Sequence, residues 1–496
     1  MITSNNAYRQ IFKAFSIFGG VQVVTILILM IKSKFVALYL GPSGFGISSL
    51  FNSNLALIGA LISLGIPYSA VKNIASANGT GDSYVKSETI IVFSKWTHYT
   101  GIVGTLLVIL FARRISIWTF GNTEYTWSFI FLSITIFLTT YSNGRKTILQ
   151  GLGKLKNMAS LSIWSSVFGL ITIPMYYYYG IKGIVPALII TAIISGIVSW
   201  YYSKEINVES IKVSNRQAMK TGLDMVKFGA LITLSGYFYL FGIYVLNVFI
   251  NNVNGPEDVG LYQAGWLITN QFVSLVLTAM SMDYYPKLAA INKDNSKIKD
   301  LVNQQAEITL LIIGPLIVLL IIFVSFAIKI FLTNSFIQLT NFIQLTALGI
   351  LFKAVLWCMG FILLVKGDTK KYMILELTGY SVIFSSYMFG YYFYGINGIG
   401  ISYIFSNIIF LLVYYIVINK AYNFTFNSTF IRLFINIMFL CLLVYISTLF
   451  THGLLLLLIR IVIFVTIAIY SIAELDKRIA IKELIKQVFQ RNRSMN

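Results

Sequence analysis

The feature that leaves this chain fewest choices is its succession of long apolar runs. They lie at about 14–40, 45–67, 88–112, 125–148, 157–179, 183–202, 226–250, 258–282, 307–332, 341–365, 372–394, 397–419, 430–450 and 453–473. A helix needs roughly 20 mostly apolar residues to cross the hydrocarbon of a bilayer. Backbone polar groups in lipid must be paired within the protein, which a helix does inside its own segment. The expected fold is therefore an all-α polytopic membrane protein with about 14 transmembrane helices. Only 11% of the residues are charged, against about 25% in soluble domains, so a soluble class is excluded.

Charge placement tests the helix count. With both termini cytoplasmic, the inner segments and adjoining helix ends hold 28 of the 37 Lys and Arg residues. The outer loops keep Arg113, Arg114 and Lys182, and six cations fall inside helices. This is the bias expected of cytoplasmic loops. The net charge of +20 is accounted for in the same way, and no nucleic-acid partner is expected. The N-terminal run leads into the Lys34 region without a small-residue cleavage pattern and reads as a retained first helix. Cys358 and Cys441 give no disulfide framework, and two histidines, His98 and His452, are too few for a metal site of the His-rich kind. No metal and no cofactor are expected.

Three short matches recur at nearly one offset. Gly41-Pro42 and Gly46 match Gly255-Pro256 and Gly260, and Gly153-Lys154 matches Gly367-Asp368, both at 214 residues; Tyr179-Gly180-Ile181 matches Tyr394-Gly395-Ile396 at 215. Each copy would hold six helices, an even number, so both enter the membrane from the same side. Such parallel repeats are related by an axis along the membrane normal. The expected organisation is an N-terminal lobe at 1–202, a cytoplasmic linker at 203–225 and a C-terminal lobe at 226–420. Two extra C-terminal helices at 421–473 and a cytoplasmic tail at 474–496 complete it. Two facing six-helix lobes enclose a central cleft, which favours a transporter working by alternating access. No phosphate-binding Gly-rich loop, H-E-x-x-H or G-x-S-x-G pattern competes with that expectation, and the chain is not expected to be an enzyme.

Ionisable residues inside the membrane are costly and mark pathways or structural pairs. Lys32 and Lys34 are two apart and point to different faces of one helix. One can line a cleft while the other snorkels or pairs, and Lys34 is favoured for the cleft. Lys353 lies mid-helix with Trp357 one turn on, an arrangement able to hold a phosphate and a sugar ring; the alternative is an ion pair with Glu376. Lys95 is placed about two turns into the third helix, where cleft-lining and snorkelling are both open, and Arg145 faces a loop or the cleft. Glu376 and Asp283 are candidates for coupling to H+ or Na+, or for neutralising a lysine. A helical polar stripe on the eighth run (Gln263, Asn270, Ser274, Thr278, Ser281) and another on the second (Ser48, Asn52, Gly59, Ser63) face the cleft or a neighbouring helix. Asn270 is a candidate substrate contact.

Several segments resemble a known family: Lys34 eight residues before the proline of LGPSGFG, GLYQAGWLITNQF at 260–272, MDYYPKLA at 282–289, and FKAVLW with ILLVKGDTKKYMILEL at 352–377. They are similar to the O-antigen and polysaccharide translocases, the Wzx-type flippases of the multidrug/oligosaccharidyl-lipid/polysaccharide exporter superfamily. The resemblance covers roughly residues 8–419. It implies movement of an undecaprenyl-pyrophosphate-linked oligosaccharide from the inner to the outer leaflet of the bacterial inner membrane. Lys34 and Lys353 would then sit in a cationic cleft with Glu376 adjoining. The implied partners are the lipid-linked oligosaccharide, membrane lipid and polysaccharide assembly proteins. Helices 13 and 14 depart from the family's twelve and resemble the arrangement of lipid II flippases. A cation-coupled multidrug exporter is the alternative, and it predicts acids rather than lysines in the cleft.

Overall fold

The computed structural model describes residues 4–450 and 453–479. His452 and the tail beyond residue 479 lie outside the described residues. The helices are α1 (Ser4–Ser63), α2 (Ile66–Gly79), α3 (Ser83–Phe120), α4 (Thr126–Gly151), α5 (Leu155–Phe168), α6 (Ile173–Tyr179), α7 (Ile184–Ser203), α8 (Asn215–Asn254), α9 (Pro256–Ala290), α10 (Asn295–Phe331), α11 (Thr340–Val365), α12 (Thr369–Tyr422), α13 (Ser428–Leu449) and α14 (Leu454–Ile479). Among the described residues there is no strand, and nine continuous helical stretches are long and apolar enough to span a bilayer. Some of these stretches hold two of the expected runs. α1 contains the first and second, joined through Gly41, and α12 contains the eleventh and twelfth, joined through Tyr394 and Gly395. The fifth run is α5 and α6 with a 3-10 turn between them.

Two features extend the expected pattern. First, α8 begins at Asn215 and α10 at Asn295, both about three turns before their apolar runs. Their first turns are polar and need no lipid; Ser214 caps α8 by accepting from the amide of Gln217 at 3.1 Å. Second, a short helix, α2, follows the second run. Leu64 and Gly65 adopt positive φ, which ends α1, and Pro67 then suits the first turn of α2 because it has no amide hydrogen to satisfy there. α2 buries Ile66, Ala70, Ile74 and Ala77.

The repeat matches coincide with backbone geometry. Gly41 has φ 64° and ψ −169°, and Gly255 has φ 87° and ψ −176°. Gly153 and Gly367 both have positive φ, as do Gly180 and Gly395. Side chains other than glycine rarely adopt this region, so the motif glycines are demanded by the same turn twice. The aromatic runs also agree. Tyr176 and Tyr391 are buried, while Tyr177–Tyr179 and Tyr392–Tyr394 are exposed, as suits a membrane-interface belt.

The chain divides into two compact units. One holds Met1–Ala264 with Phe331–Phe336, and the other Gly265–Ile330 with Ile337–Asn496. In the first unit α3 packs on α4, α4 on α7, and α2 on α3, α4 and α8. The two Gly-Pro turns meet there. A Cβ on Gly46 would overlap the carbonyl oxygen of Pro256, and one on Gly260 would overlap that of Pro42. The contact is reciprocal, as a two-fold relation between equivalent turns requires. Small residues permit this closeness, as they do generally between membrane helices. In the second unit α11 packs along α12, with Gly349 against Tyr403 and Gly400 against Leu345. α13 and α14 pair with each other. Glu307 of α10, 7% exposed, is held by Arg478 of α14 at 2.7 Å.

Candidate functional site

The first unit contains a chamber of about 940 Å³. Its walls come from the second arm of α1 and from α2, α3, α4 and α7. One face of α4 supplies Thr135, Thr139, Asn143, Lys146 and Gln150, whose spacing of four, four, three and four keeps them on one side of a helix. α3 adds Thr97 and Thr100, and α7 adds Thr191 and Ser195. Asn52, Gly59 and Ser63 of the polar stripe on the second run line it as well. Among the described residues that line it there is no Asp or Glu.

The chamber's charge is cationic. Lys146 lines it directly, and among the described residues its ammonium makes no hydrogen bond or ion pair. Lys32, on the arm of α1 before Gly41, donates to Thr191 Oγ1 at 3.2 Å, and Thr191 lines the chamber. Lys34 donates instead to the carbonyl of Leu332, just past the end of α10, where a cation is favourable to the helix dipole. Of the two lysines, the one in contact with the chamber wall is Lys32.

Other candidate residues of the first unit hold backbone or aromatic surface. Lys95 donates to Val213 O and to Asn215 Oδ1, each at 2.7 Å. Beside it, Trp96 Nε1 donates to Ala218 O at 2.8 Å, and the amide of Glu209 donates to Ser87 Oγ at 2.9 Å. The segment 203–225 is thereby fastened to α3. Arg145 stacks over the ring of Tyr141 at 5.1 Å.

In the second unit Lys353 of α11 meets α9. Its ammonium is 3.4 Å from Asn270 Oδ1 and 5.8 Å from the centre of the Trp266 ring. Trp266 in turn packs edge-on against Tyr403 at 5.4 Å. Trp357 packs on Phe361 at 5.0 Å and Tyr284 at 5.9 Å, so the aromatic partner of Lys353 is Trp266. Glu376 accepts from the Tyr414 hydroxyl at 2.8 Å, and among the described residues Lys353 forms no ion pair. Gln263, at the start of the α9 stripe, donates to Asn247 at 2.7 Å within the first unit. Ser274 and Ser281 bond carbonyls of their own helix. The side chain of Asp283 lies outside the described residues. Asp368, on the loop between α11 and α12, has its carboxyl held below the usual range by Lys371 and Tyr422. No group of three or more metal-ligating side chains occurs among the described residues.

Sequence comparison matches residues 35–340 to the family described as "Polysaccharide biosynthesis protein". The chain belongs to this polysaccharide biosynthesis family. No curated protein matches it by sequence. Among solved structures, an inward-facing multidrug resistance MATE family transporter of the MOP superfamily superposes with a TM-score of 0.69 at 15% identity, covering 80% of this chain and 94% of that one. Lipid II flippase MurJ, in an inward closed conformation, gives 0.66 at 15% identity, over 93% and 98%. A MOP superfamily transporter from Pyrococcus furiosus, whose binding pocket is described as reversed in polarity, gives 0.57 at 14%, over 83% and 97%. This member of the polysaccharide biosynthesis family is therefore a multi-pass membrane protein with the fold of these transporters.

Sequence reasoning did not single out two residues of this arrangement, Lys146 and Trp266, and ranked a third, Lys32, below Lys34. Lys146 falls among the inner-end cations when charge is counted by loop, although the Thr135–Gln150 stripe carries a helical signal. Lys32 was set aside in favour of Lys34. Trp266 lies on a different helix from Lys353, and no local spacing connects the two.

Proposed function

We propose that the protein is a flippase that carries an undecaprenyl-pyrophosphate-linked oligosaccharide from the inner to the outer leaflet of a bacterial inner membrane. The observation that supports this is the chamber's chemistry: a lysine and neutral hydroxyl and amide groups, with no carboxylate among the described lining residues. A drug cation would be repelled by Lys146 and Lys32 and would find no acid among the described lining residues. An anionic headgroup that cannot cross hydrocarbon unaided gains from ammonium groups already held inside the membrane. Lys353, steadied by Asn270 and Trp266, is the second cationic contact of this reading. Lys34, Lys95, Arg145 and Trp357 serve it by positioning the elements that they touch. Glu376, held by Tyr414, is its candidate for ion coupling.

In this reading the lobes 1–202 and 226–420 alternate access to the two leaflets, with both termini cytoplasmic and α13 and α14 as an appendix. The extent of the likeness to the lipid II flippase, 93% of this chain against 80% for the transporter with the higher score, favours lipid II flipping as the second reading. The test is to replace Lys353 with Gln in the native cell. Surface polysaccharide should fall at least tenfold while the lipid-linked precursor builds up on the inner leaflet. Unchanged precursor distribution would rule out the cationic path, and accumulation of lipid II in place of the oligosaccharide precursor would select the second reading.

A further inference from the structure

The chamber in the first unit carries a hydrogen-bonding polarity that its composition alone does not reveal. Thr97, Thr100, Thr139, Thr147 and Thr191 each donate their hydroxyl hydrogen to the carbonyl four residues earlier, at 2.7–2.9 Å. Thr135 donates to Leu132 O at 2.6 Å. A hydroxyl has one hydrogen and two lone pairs, and here the hydrogen is spent within the helix. What these side chains offer the chamber is therefore acceptor oxygen. Lys32 already uses one such oxygen, that of Thr191. Lys146 is a donor of another kind, a charge with no partner among the described residues.

Threonine acceptors, with one lining ammonium and the donor-bearing amides of Asn143 and Gln150 on the same face of α4, select a ligand in two parts. Phosphate oxygens accept but do not donate, so they gain nothing from the threonines and bind at the ammonium. Sugar hydroxyls can each donate, so they match the threonine oxygens. We infer that this chamber is a glycosyl-phosphate site contained within the first unit, with Lys146 holding the anionic group and the threonine ladder of α3, α4 and α7 accepting from the sugar. The inference rests on the flippase reading for its role in transport, but the site itself stands or falls separately. The same chemistry could be presented by a lipid headgroup or by a soluble phosphate ester.

The test uses the purified full chain with Thr140, which lines the chamber, replaced by Cys. Cys358 and Cys441 are buried and give little background reaction. The rates of labelling by an anionic and a cationic methanethiosulfonate are compared, with inorganic pyrophosphate or farnesyl diphosphate as protectant. The anionic reagent should react about tenfold faster than the cationic one, as a nearby ammonium requires, and both diphosphates should slow it. Lys146→Gln should abolish the preference and the protection, while Lys146→Arg keeps both. Stronger protection by farnesyl diphosphate assigns the site to a lipid headgroup; equal protection supports the anion site and overturns that assignment. Absence of protection, or protection that survives in Lys146→Gln, overturns the anion site. The ladder is tested by Thr135→Val with Thr139→Val, which should leave pyrophosphate protection within about twofold but lower precursor flipping in cells at least fivefold. Flipping unchanged in that variant overturns the sugar contact. If pyrophosphate protects in vitro while cells lacking this chain flip the precursor normally, the flippase reading fails and the anion site survives.

Discussion

Replacing Lys353 with Met separates a structural lysine from a functional one. A lysine near the middle of a spanning helix costs about 2.5–3.5 kcal/mol on insertion scales. The compensation visible around Lys353 is small. Its contact with Asn270 is 3.4 Å, longer than the usual range for a hydrogen bond. Trp266 lies 5.8 Å from the charge, near the outer limit for a cation–π interaction. Together they return about 1–2 kcal/mol. Methionine keeps the length and flexibility of the side chain and removes the charge. Lys353→Met should therefore be neutral or more stable by about 1–2 kcal/mol, raising the melting temperature by a few degrees. Transport should drop at least tenfold in the same variant. Melting is followed by size-exclusion chromatography of heated samples, and transport by surface polysaccharide. A fall of several degrees, or transport at the unmutated level, refutes the reasoning that the charge is kept for a ligand at the expense of stability.

The remaining predictions concern the frame. Gly46→Ala and Gly260→Ala each drive a methyl group into a carbonyl oxygen of the opposite Gly-Pro turn and should cost about 3 kcal/mol or more; Gly59→Ala, with open space around its Cβ position, should fold normally, and the yield of monodisperse protein distinguishes them. Lys95→Ala removes two charged hydrogen bonds from the 203–225 segment and should speed amide exchange at residues 209–217 with little change elsewhere. Arg478→Ala leaves buried Glu307 without the cation beside it and should destabilise by about 3–5 kcal/mol, most of it recovered when Glu307→Leu is added, as read by thermal melting.

The frame of this protein was legible because few residues can do what the frame needs. Three glycine pairs, Gly41 with Gly255, Gly153 with Gly367 and Gly180 with Gly395, marked the repeat in the sequence and all proved to sit at positive φ. Long apolar runs marked the spanning helices, since lipid leaves the backbone no other solution. Polar first turns such as that of α10, and the amphipathic α2, carried no such signal and were missed. Contacts between helices were less legible still. Sequence spacing put Trp357 on the same face as Lys353, but tertiary packing turned Trp357 toward Tyr284 and brought Trp266 from α9 in its place. Lys146 was counted with the inner-end cations because loop proximity does not reveal a chamber, whereas the Thr135, Thr139 and Asn143 spacing leading to it does.

The central claim is that an anionic, sugar-bearing lipid is moved across the membrane by this chain. Its most direct test is reconstitution of the purified protein in vesicles carrying a fluorescent polyprenyl-pyrophosphate oligosaccharide, with a membrane-impermeant quencher reporting the leaflet. The account predicts that the quenchable fraction approaches completion with the unmutated protein and stays near half with Lys353→Gln or Lys146→Gln. Equal quenching in protein-free vesicles, or full activity in both variants, contradicts it.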